Sequence, residues 1–263
     1  MNQYPKEQFL DTALFAAESA SRLIQKTSNR SVKAYKSKTD LVTETDIASE
    51  QIISKIIKSK YPDHSILAEE SGLNQVDHAE YIWVIDPLDG TTNFVHNYPS
   101  YGVSIALVHK NKPIVGVVVE MPAMNTYWAT DDSVSYCNNK VIKVSQTDNL
   151  IQSLLVTGFG YSHDSKWNIN MNLFKEFTDV TQGVRRLGAA AIDICHAASG
   201  TIDGFWEFDL NPWDMAAGVL IAERAGAKVS KINGDKYSIY DDQILISNGI
   251  IHKAMINIIN KFI

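Results

Sequence analysis

The N-terminal part of the chain alternates between apolar residues at helical spacing and short polar connections. Residues 4–25 carry the apolar positions of one amphipathic helix. Residues 27–39 are polar and basic, which predicts a loop or a mobile ribbon. A second helix is predicted to begin within residues 43–46 and to stop before Tyr61 and Pro62. Its buried face would consist of isoleucines: Ile47, Ile52, Ile53, Ile56 and Ile57.

Strand patterns replace helical ones in the middle of the chain. A short strand at residues 65–68 leads to Glu69, and a central apolar strand starts near Trp83. Turns at residues 111–113 and 131–132 separate the runs that follow. These runs predict an antiparallel meander with strands at residues 103–108, 114–120, 127–130 and 134–136.

Strands and helices alternate again after Val144, with no internal repeat. Strands are predicted at residues 153–156, 183–186, 203–208, 227–229 and 243–247. Helices are predicted at residues 169–177, 188–198, 212–225 and 250–262. We therefore divide the chain into an N-terminal α+β half, residues 1–145, and a C-terminal α/β half, residues 146–263. No linker rich in proline or glycine marks the boundary at residues 144–150.

Polar chemistry is concentrated at the turn that follows the central strand. Pro87 should end the strand and hold Asp86 in an extended conformation, while Gly90 permits a sharp bend. Thr91 then opens a helix, whose first N–H groups attract a phosphate. Because the carboxylates of Asp86 and Asp89 attract a divalent cation, this turn predicts a site for a metal-bound phosphate.

Composition and charge narrow the class of protein. The 263 residues carry a net charge of −6, which argues against a protein that coats nucleic acid. No apolar stretch reaches membrane-spanning length, and residues 1–7 lack the pattern of a signal peptide. Cys137 and Cys195 form neither a disulfide framework nor a zinc signature. We therefore expect a cytoplasmic protein whose positive charge for binding phosphate comes from bound cations and helix dipoles.

Four acidic residues are predicted to lie at strand ends or helix starts: Glu69, Asp86, Asp89 and Asp214. Each alone could be an ordinary turn or cap residue. Together they offer the oxygen ligands that Mg²⁺ prefers, with the Leu88 carbonyl between the two central aspartates. Two such ions about 4 Å apart would activate a water and stabilise a leaving oxygen.

The chain resembles the inositol monophosphatase family, within the superfamily of lithium-sensitive, Mg²⁺-dependent phosphatases. The resemblance extends from about Phe9 to Asn248, and the order and separation of its motifs match. The segments that carry it are residues 83–94, 40–46 (Asp-Leu-Val-Thr-Glu-Thr-Asp), 68–71 (Ala-Glu-Glu-Ser) and 213–218 (Trp-Asp-Met-Ala-Ala-Gly). The resemblance implies a layered αβαβα sandwich of the α/β class, assembled as a homodimer.

The resemblance also implies two or three Mg²⁺ ions per subunit. Glu69, Asp86 and the Leu88 carbonyl match the ligands of a first ion. Asp86, Asp89 and Asp214 match those of a second, and Glu69 would reach a weaker third ion through water. The resemblance thus makes all four acidic residues ligands of the metal ions.

Further residues match substrate and water positions in the family. Thr91, with Glu69, matches the group that positions the attacking water, and Asp46 matches an acid that supports Thr91. The N–H groups of Gly90 and Thr91 would hold the phosphate. Positions that line the alcohol half of the substrate are matched by Asp89, Gly188, Ala190, Glu207 and Asp214. Ala189 stands where the family often has a hydroxyl residue.

Three basic side chains near these motifs allow two interpretations each, and a fourth allows one. Lys36 either approaches the metals on a mobile loop or belongs to a solvated basic loop. Arg185 and Arg186 are either an exposed pair or contacts of the dimer or substrate. His96 is interpreted as a polar helix residue.

The expected activity is hydrolysis of inositol monophosphate or a similar small polyol phosphate. The same chemistry on fructose 1,6-bisphosphate, NADP or a 3′-phosphoadenosine nucleotide is the first alternative. A protein that binds a transcription or RNA-processing partner is an alternative of another class. An aspartyl-phosphate mechanism of the haloacid dehalogenase type is disfavoured, because two residues, one of them Pro87, separate Asp86 from Asp89.

Overall fold

The computed structural model describes residues 5–28 and 30–263. Tyr4, the predicted start of the first helix, lies outside the described residues, as do the other residues of the 1–4 segment used in the signal-peptide prediction. The helices are α1 Lys6–Lys26, α2 Glu44–Lys60, α3 Thr91–Val95, α4 Ser165–Val180, α5 Ala190–Ala198, α6 Pro212–Arg224 and α7 His252–Ile259.

The strands form one two-stranded ribbon and two larger sheets. The ribbon pairs β1 Val32–Tyr35 with β2 Leu41–Thr43 in antiparallel orientation. The large sheet contains β3 Ser65–Ala68, β4 Gly72–Asn74, β5 Tyr81–Asp89, β6 Tyr101–His109, β7 Lys112–Met121, β8 Asn125–Thr130, β9 Tyr136–Cys137 and β10 Lys140–Val141. The small sheet contains β11 Leu154–Thr157, β12 Gly183–Arg185, β13 Gly204–Phe208, β14 Lys228–Ser230 and β15 Gln243–Ser247.

The elements stack as alternating layers of helix and sheet. In the large sheet the order is β10-β9-β8-β7-β6-β5-β3-β4, and β6 to β9 form the predicted antiparallel meander. In the small sheet the order is β12-β11-β13-β15-β14. Helices α1 and α2 pack on the large sheet, α5 and α6 lie between the sheets, and α4 and α7 contact each other beyond the small sheet. This arrangement is the predicted αβαβα sandwich.

The buried cluster between the sheets draws on both predicted halves of the chain. Val84 and Val118 of the large sheet pack there with Ile194 of α5, Leu220 of α6 and Phe205 of the small sheet. The division at residues 144–150 stays a prediction. Across the described ranges, 5–28 and 30–263, no helix combines the length and apolarity that spanning a membrane requires.

Helix α2 begins where the sequence predicts, but its buried face differs from the prediction. Thr43 caps it and Asp46 completes a capping box. Only Ile53 and Ile57 of the predicted isoleucines are buried, whereas Ile47, Ile52 and Ile56 are half-buried. The helix instead buries a polar face, whose members are Thr45, Asp46, Ser49 and Glu50. This face is directed at the end of β5, where polar partners are available.

The central strand does not end at Pro87, which corrects the prediction. Strand β5 continues to Asp89, and its register with β6 shifts between Asp86 and Asp89. Three steps along β5 oppose two along β6, which is a β-bulge. Pro87 lies inside the bulge, where the missing N–H removes no regular ladder bond. The Ser49 hydroxyl of α2 donates to the Pro87 carbonyl over 2.7 Å and supports this irregular turn.

Other elements follow the predictions with shifted ends. The predicted loop or ribbon at residues 27–39 contributes β1 to the ribbon, and α4 is longer at both ends than predicted. The sequence interpretation missed β2, β4, β10 and a short 3₁₀ turn at Leu150–Gln152, all of three residues or fewer. Such short elements give no periodic pattern that a sequence can show.

Candidate functional site

The predicted metal ligands line one cavity of about 460 Å³. Glu69 follows β3, while Asp86, Leu88 and Asp89 lie in the β5 bulge. Strands β3 and β5 are parallel neighbours, so their carboxyl ends meet at the same edge of the large sheet. Asp214 arrives from the first turn of α6, where its Oδ2 accepts a 2.6 Å bond from the Asn211 N–H. Acids that are far apart in sequence thereby face one space.

The candidate phosphate end of the cavity is the turn into α3. Gly90 adopts the left-handed conformation with φ +80° and caps the helix. A side chain at Gly90 would be strained there, and its Cβ would lie 2.9 Å from the Ser100 carbonyl oxygen. The first N–H groups of α3 have no partner within the helix. This end of the cavity can therefore bind an anion.

The Thr91 hydroxyl joins this turn to α2. Its Oγ1 lies 2.7 Å from Asp46 Oδ1 and 3.0 Å from the Leu88 carbonyl oxygen. Asp46 is fully buried and its other oxygen accepts from the Thr43 N–H over 2.9 Å. Burial raises the pKa of Asp46, while its bonds to Thr43 and Thr91 lower it. The orientation of Thr91 is thus fixed by a carboxylate that is itself held in place.

Asp89 connects the acid cluster to the second half of the chain. Its Oδ2 accepts a 2.9 Å hydrogen bond from the Ala191 N–H in the first turn of α5. Asn93 of α3 makes a second connection, since its amide donates to the Leu187 carbonyl over 2.7 Å. The N-terminal end of α5 is favourable for a negative charge at Asp89.

Burial and the neighbouring carboxylates together disfavour the charged forms of the acids. Burial raises the pKa of Asp86 well above its usual range, and the charges of Glu69 and Asp89 raise it further. Burial also raises the pKa of Asp89 to about 7, although the Ala191 N–H opposes this shift. The pKa of Asp214 is raised in the same way. A bound divalent cation would relieve this repulsion.

The donor set fits a hard cation such as Mg²⁺. The available ligands are carboxylate and carbonyl oxygens, without a cysteine or histidine among the cavity-lining residues of the acid cluster. In the ranges 5–28 and 30–263, no three acidic, histidine or cysteine side chains already converge in the geometry of a formed metal site. The cluster therefore supplies donor atoms of the kind that Mg²⁺ prefers.

Lys36 lies at the acid cluster, directly after β1 of the ribbon. Its Nζ is 2.8 Å from Glu69 Oε1 and 2.7 Å from Glu70 Oε1. Partial burial lowers the pKa of Lys36, but the two carboxylates outweigh it and raise the pKa above the usual value. Of the two interpretations of this loop, the structure shows the approach to the predicted metal ligands.

The remaining predicted residues line the other side of the cavity, next to the acids. Gly188, Ala190 and Glu207 lie there, with Arg186 at the rim. Burial raises the pKa of Glu207 well above its usual range, Asp214 raises it further, and Arg186 opposes the shift. His96 is exposed at the end of α3 and is not among the residues that line the cavity, in agreement with its interpretation as a polar residue.

Sequence reasoning missed several residues that support or line the cavity. Glu50 accepts from the Glu70 N–H over 2.9 Å and fixes the turn after β3. Gly158 lies against the Glu207 carboxylate so closely that a Cβ would collide with it. The Gly-Phe-Gly sequence at residues 158–160 was the available signal for this close approach. The other missed lining residues include Asp40, Phe159, Tyr161, His163, Trp167 and Asp209.

Comparison with known proteins identifies the family of this chain. Residues 6–262 match the model of the inositol monophosphatase family. The chain belongs to the inositol monophosphatase family. It is 46% identical over 254 residues to the chloroplastic phosphatase IMPL1 of Arabidopsis thaliana, covering 94% of this chain and 68% of that protein.

Two further similarities concern bacterial proteins. The structure of an inositol monophosphatase from Anabaena sp. PCC 7120 superposes with a TM-score of 0.88 at 40% identity, covering 98% of this chain and 97% of that one. The putative Nus factor SuhB of Neisseria meningitidis serogroup B is 37% identical over 258 residues, covering 97% of this chain and 99% of that protein.

These similarities confirm the predicted family, the layered α/β fold and the enzyme class. This inositol monophosphatase family member is a phosphatase, a phosphoric monoester hydrolase. Members of the family are metal-dependent phosphatases that typically use Mg²⁺.

Proposed function

We propose that the protein hydrolyses inositol monophosphate, or a similar small polyol phosphate, with Mg²⁺. The observation that carries this proposal is the placement of Glu69, Asp86, Asp89 and Asp214 around one cavity whose end is the N-terminus of α3. Oxygen ligands and an anion-binding helix start are the two parts that a metal-dependent phosphatase needs.

The acids would hold two or three Mg²⁺ ions per subunit. Glu69, Asp86 and the Leu88 carbonyl would bind the first ion, and Asp86, Asp89 and Asp214 the second. Glu69 would reach a third through water. When bound, the ions lower the pKa of water and neutralise charge on the phosphate.

The chain's own groups position the water and the phosphate. Because the Thr91 hydroxyl donates to Asp46, its oxygen can accept a hydrogen bond from the attacking water, together with Glu69. The N–H groups of Gly90 and Thr91 would bind the phosphate oxygens. Pre-oriented donors of this kind stabilise negative charge without reorganisation during the reaction.

The leaving alcohol would lie next to the ligands of the second ion, beside Glu207. Asp89, Gly188, Ala190, Glu207 and Asp214 would contact its hydroxyl groups. Carboxylates such as Glu207 suit an alcohol rich in hydroxyl donors.

The test is Mg²⁺-dependent phosphate release by the Asp89→Asn variant, measured on a panel of sugar, inositol and nucleotide phosphates. We expect kcat/KM to fall by more than about 100-fold, because even outer-shell changes at metal sites cost 10- to 100-fold. The exposed Asp179→Asn variant is the matched control and should keep wild-type turnover. Near-normal turnover by Asp89→Asn would contradict the proposal. Preference for fructose 1,6-bisphosphate, NADP or a 3′-phosphoadenosine nucleotide would keep the chemistry and change the substrate.

A second candidate function is favoured by the similarity to the putative Nus factor SuhB. The protein would then bind a transcription or RNA-processing partner without contacting nucleic acid directly. Pull-down with RNA polymerase, compared between the wild type and Asp89→Asn, tests it. Retention by both proteins would support a role separate from catalysis, and retention by neither would exclude this role.

We also propose that the protein is a cytoplasmic homodimer, as the family resemblance implies. Light scattering coupled to gel filtration tests the assembly, and a mass near that of one 29.3 kDa chain would contradict it. Cell fractionation tests the location.

A further inference from the structure

A second cavity, of about 600 Å³, lies on the face of the large sheet that carries α1 and α2. Helix α1 packs on β6 and β7, whereas α6 packs on β8 from the opposite face of the sheet. The cavity therefore lies beside α1, where a further helix of the same layer would cover β8. We call it the α1 groove and define it by four of its lining residues: Leu14, Phe15, Met124 and Trp128.

The floor of the α1 groove and the wall formed by α1 are apolar. Phe15 keeps 55% of its surface exposed, while Leu14 and Trp128 pack on the buried cluster beneath α1. The Trp128 ring is also held by Tyr136, which stacks on it with centroids 4.3 Å apart. Apolar side chains that are gathered in one open groove are typical of a binding surface.

The wall opposite α1 is the turn between β9 and β10, and hydrogen bonds fix it to β8. Asn138 Oδ1 accepts from the Thr126 N–H over 2.9 Å, and its Nδ2 donates to Asn125 Oδ1 over 2.9 Å. Met124 lies at the end of the groove, just before β8. Methionine adapts to different partners and is common on surfaces that bind helices. The groove is thus formed before any ligand binds.

The rim of the groove on α1 is acidic. Glu7, Asp11, Leu14 and Glu18 are separated by four, three and four residues, so they form one stripe along the helix. The three acids of this stripe, which we call the acidic rim, are exposed. Glu18 pairs with Arg22 at 2.6 Å, but an exposed pair of this kind is easily exchanged for another partner. A ligand in the groove would therefore meet an apolar floor beside negative charge.

We propose that the α1 groove binds an amphipathic helix of a partner protein, with lysines or arginines along one edge of that helix. The helix would lie beside α1 at the usual spacing of packed helices, about 8–10 Å between axes. Its apolar residues would cover Phe15 and Trp128, and its basic residues would face the acidic rim. Among the described residues, none from α1 lines the catalytic cavity, so this function would be separate from hydrolysis.

The test measures binding of a labelled peptide by fluorescence anisotropy. The peptide has about 14 residues, or four helical turns, and consists of leucine and lysine with the leucines on one face. A peptide of the same composition, with the leucines scattered around the helix, is the comparison. We expect the wild type to bind the amphipathic peptide about tenfold more tightly than the scattered one, because only the first can cover the groove.

A change in the apolar floor should weaken this binding. Phe15→Ser removes an exposed aromatic contact and should raise the Kd about tenfold. The matched control is Ile151→Ser, which removes a side chain that is 65% exposed in the 3₁₀ turn Leu150–Gln152. This control should bind like the wild type. Phe15→Ser should keep wild-type phosphate release, which checks that the variant is folded.

A change in the acidic rim tests the charge of the partner. The combined variant Glu7→Gln, Asp11→Asn and Glu18→Gln should raise the Kd about tenfold at low salt and less at high salt, because salt screens exposed charges. Its control neutralises three exposed acids elsewhere and so changes the net charge equally: Asp63→Asn, Asp148→Asn and Asp179→Asn. This second combined variant should bind like the wild type.

The remaining outcomes overturn the proposal. They are the absence of binding by the wild type, equal affinity for both peptides, and equal losses in the two combined variants. Light scattering coupled to gel filtration identifies another occupant of the groove. If Phe15→Ser lowers the mass of the assembly, a second copy of this chain covers the groove, and the partner helix is excluded. An unchanged mass together with weaker peptide binding supports the proposal.

Discussion

The two sides of the cavity are built in different ways. The acid side consists of strand ends and helix starts, and Asp86 and Asp89 are only 2% and 7% exposed. A second part of the lining consists of a loop and the first turn of α4, with exposed rings such as Tyr161. Groups on rigid elements hold the geometry that chemistry requires, whereas loops tolerate change and carry selectivity. The groups that we propose for catalysis accordingly lie on the first side.

The largest expected effect comes from Asp86→Asn on the acid side. The asparagine oxygen can still accept the 3.0 Å bond from the Leu88 N–H, so the bulge should persist. We expect kcat/KM to fall by more than about 100-fold. Because one of several repelling charges is removed, the melting temperature of the metal-free protein should rise.

Phosphate release and calorimetry in a chelating buffer measure both effects of Asp86→Asn. A lower melting temperature, with the Asp179→Asn control unchanged, would show that the acid side contributes to stability as well as to chemistry. That result would contradict the expectation that the acid side serves chemistry at a cost in stability.

His252 lies away from both sides of the cavity. We expect it to make a pH-dependent contribution of about 2 kcal/mol to the free energy of unfolding. Its ring lies between the hydroxyls of Ser230 and Ser247 at 2.9 Å each, and burial lowers its pKa to about 4. The unfolded chain, with a histidine pKa near 6.5, binds more protons between these values. The contribution of His252 is therefore complete above pH 6.5 and is lost as the pH falls towards 4.

Urea unfolding at pH 7.5 and pH 5 measures this loss. The raised pKa values of the buried acids act in the opposite direction, so the wild type alone does not isolate His252. A comparison of the wild type with His252→Gln isolates it. Between pH 7.5 and pH 5 the free energy of unfolding should fall by about 2 kcal/mol less in the variant than in the wild type. Equal losses in the two proteins would show that His252 is protonated in the folded state.

A smaller effect, about tenfold on KM, is expected for Gly158→Ala. The new Cβ would collide with the Glu207 carboxylate and displace it from the leaving-group side. Because the acid side is untouched, kcat should change less than KM. Steady-state kinetics with inositol 1-phosphate measure the two constants, and a fall confined to kcat would mean that Glu207 acts in the chemical step.

The smallest expected effect is a several-fold inhibition by Li⁺, which the family resemblance implies. A singly charged ion in a Mg²⁺ position would supply too little charge to the acid side. Phosphate release in LiCl is compared with release in equal NaCl, since both salts screen surface charges alike. Unchanged activity in LiCl would count against a second metal position of the expected kind.

Local chemistry made several elements predictable. Thr43 with Asp46, and Asn211 with Pro212, are helix-start patterns whose partners lie within three residues. The placement of Asp86 and Asp89 before a helix start follows from the same local reasoning. The roles assigned to these residues are still predictions, whereas the family and the fold are confirmed.

Other features depended on packing and were not predictable. The burial of Ile47, Ile52 and Ile56 was predicted wrongly, because α2 turns a polar face towards the bulge of β5. Hydrophobic periodicity shows which residues of a helix can be buried. The surface that packs against the helix determines which of them are buried. The cavity-lining rings at residues 159–167 were missed because loop residues carry no period that a sequence can show.

The sequence by itself determined the starts of α2 and α6, most of the longer strands and the presence of four acids in recognisable motifs. The tertiary structure alone decided that Glu69, Asp86, Asp89 and Asp214 face one cavity, that Lys36 pairs with Glu69, and that aromatic rings line the same cavity. The reason is the range of the interactions. Caps and turns are completed within a few residues, whereas the bond from the Ala191 N–H to Asp89 joins residues 102 positions apart.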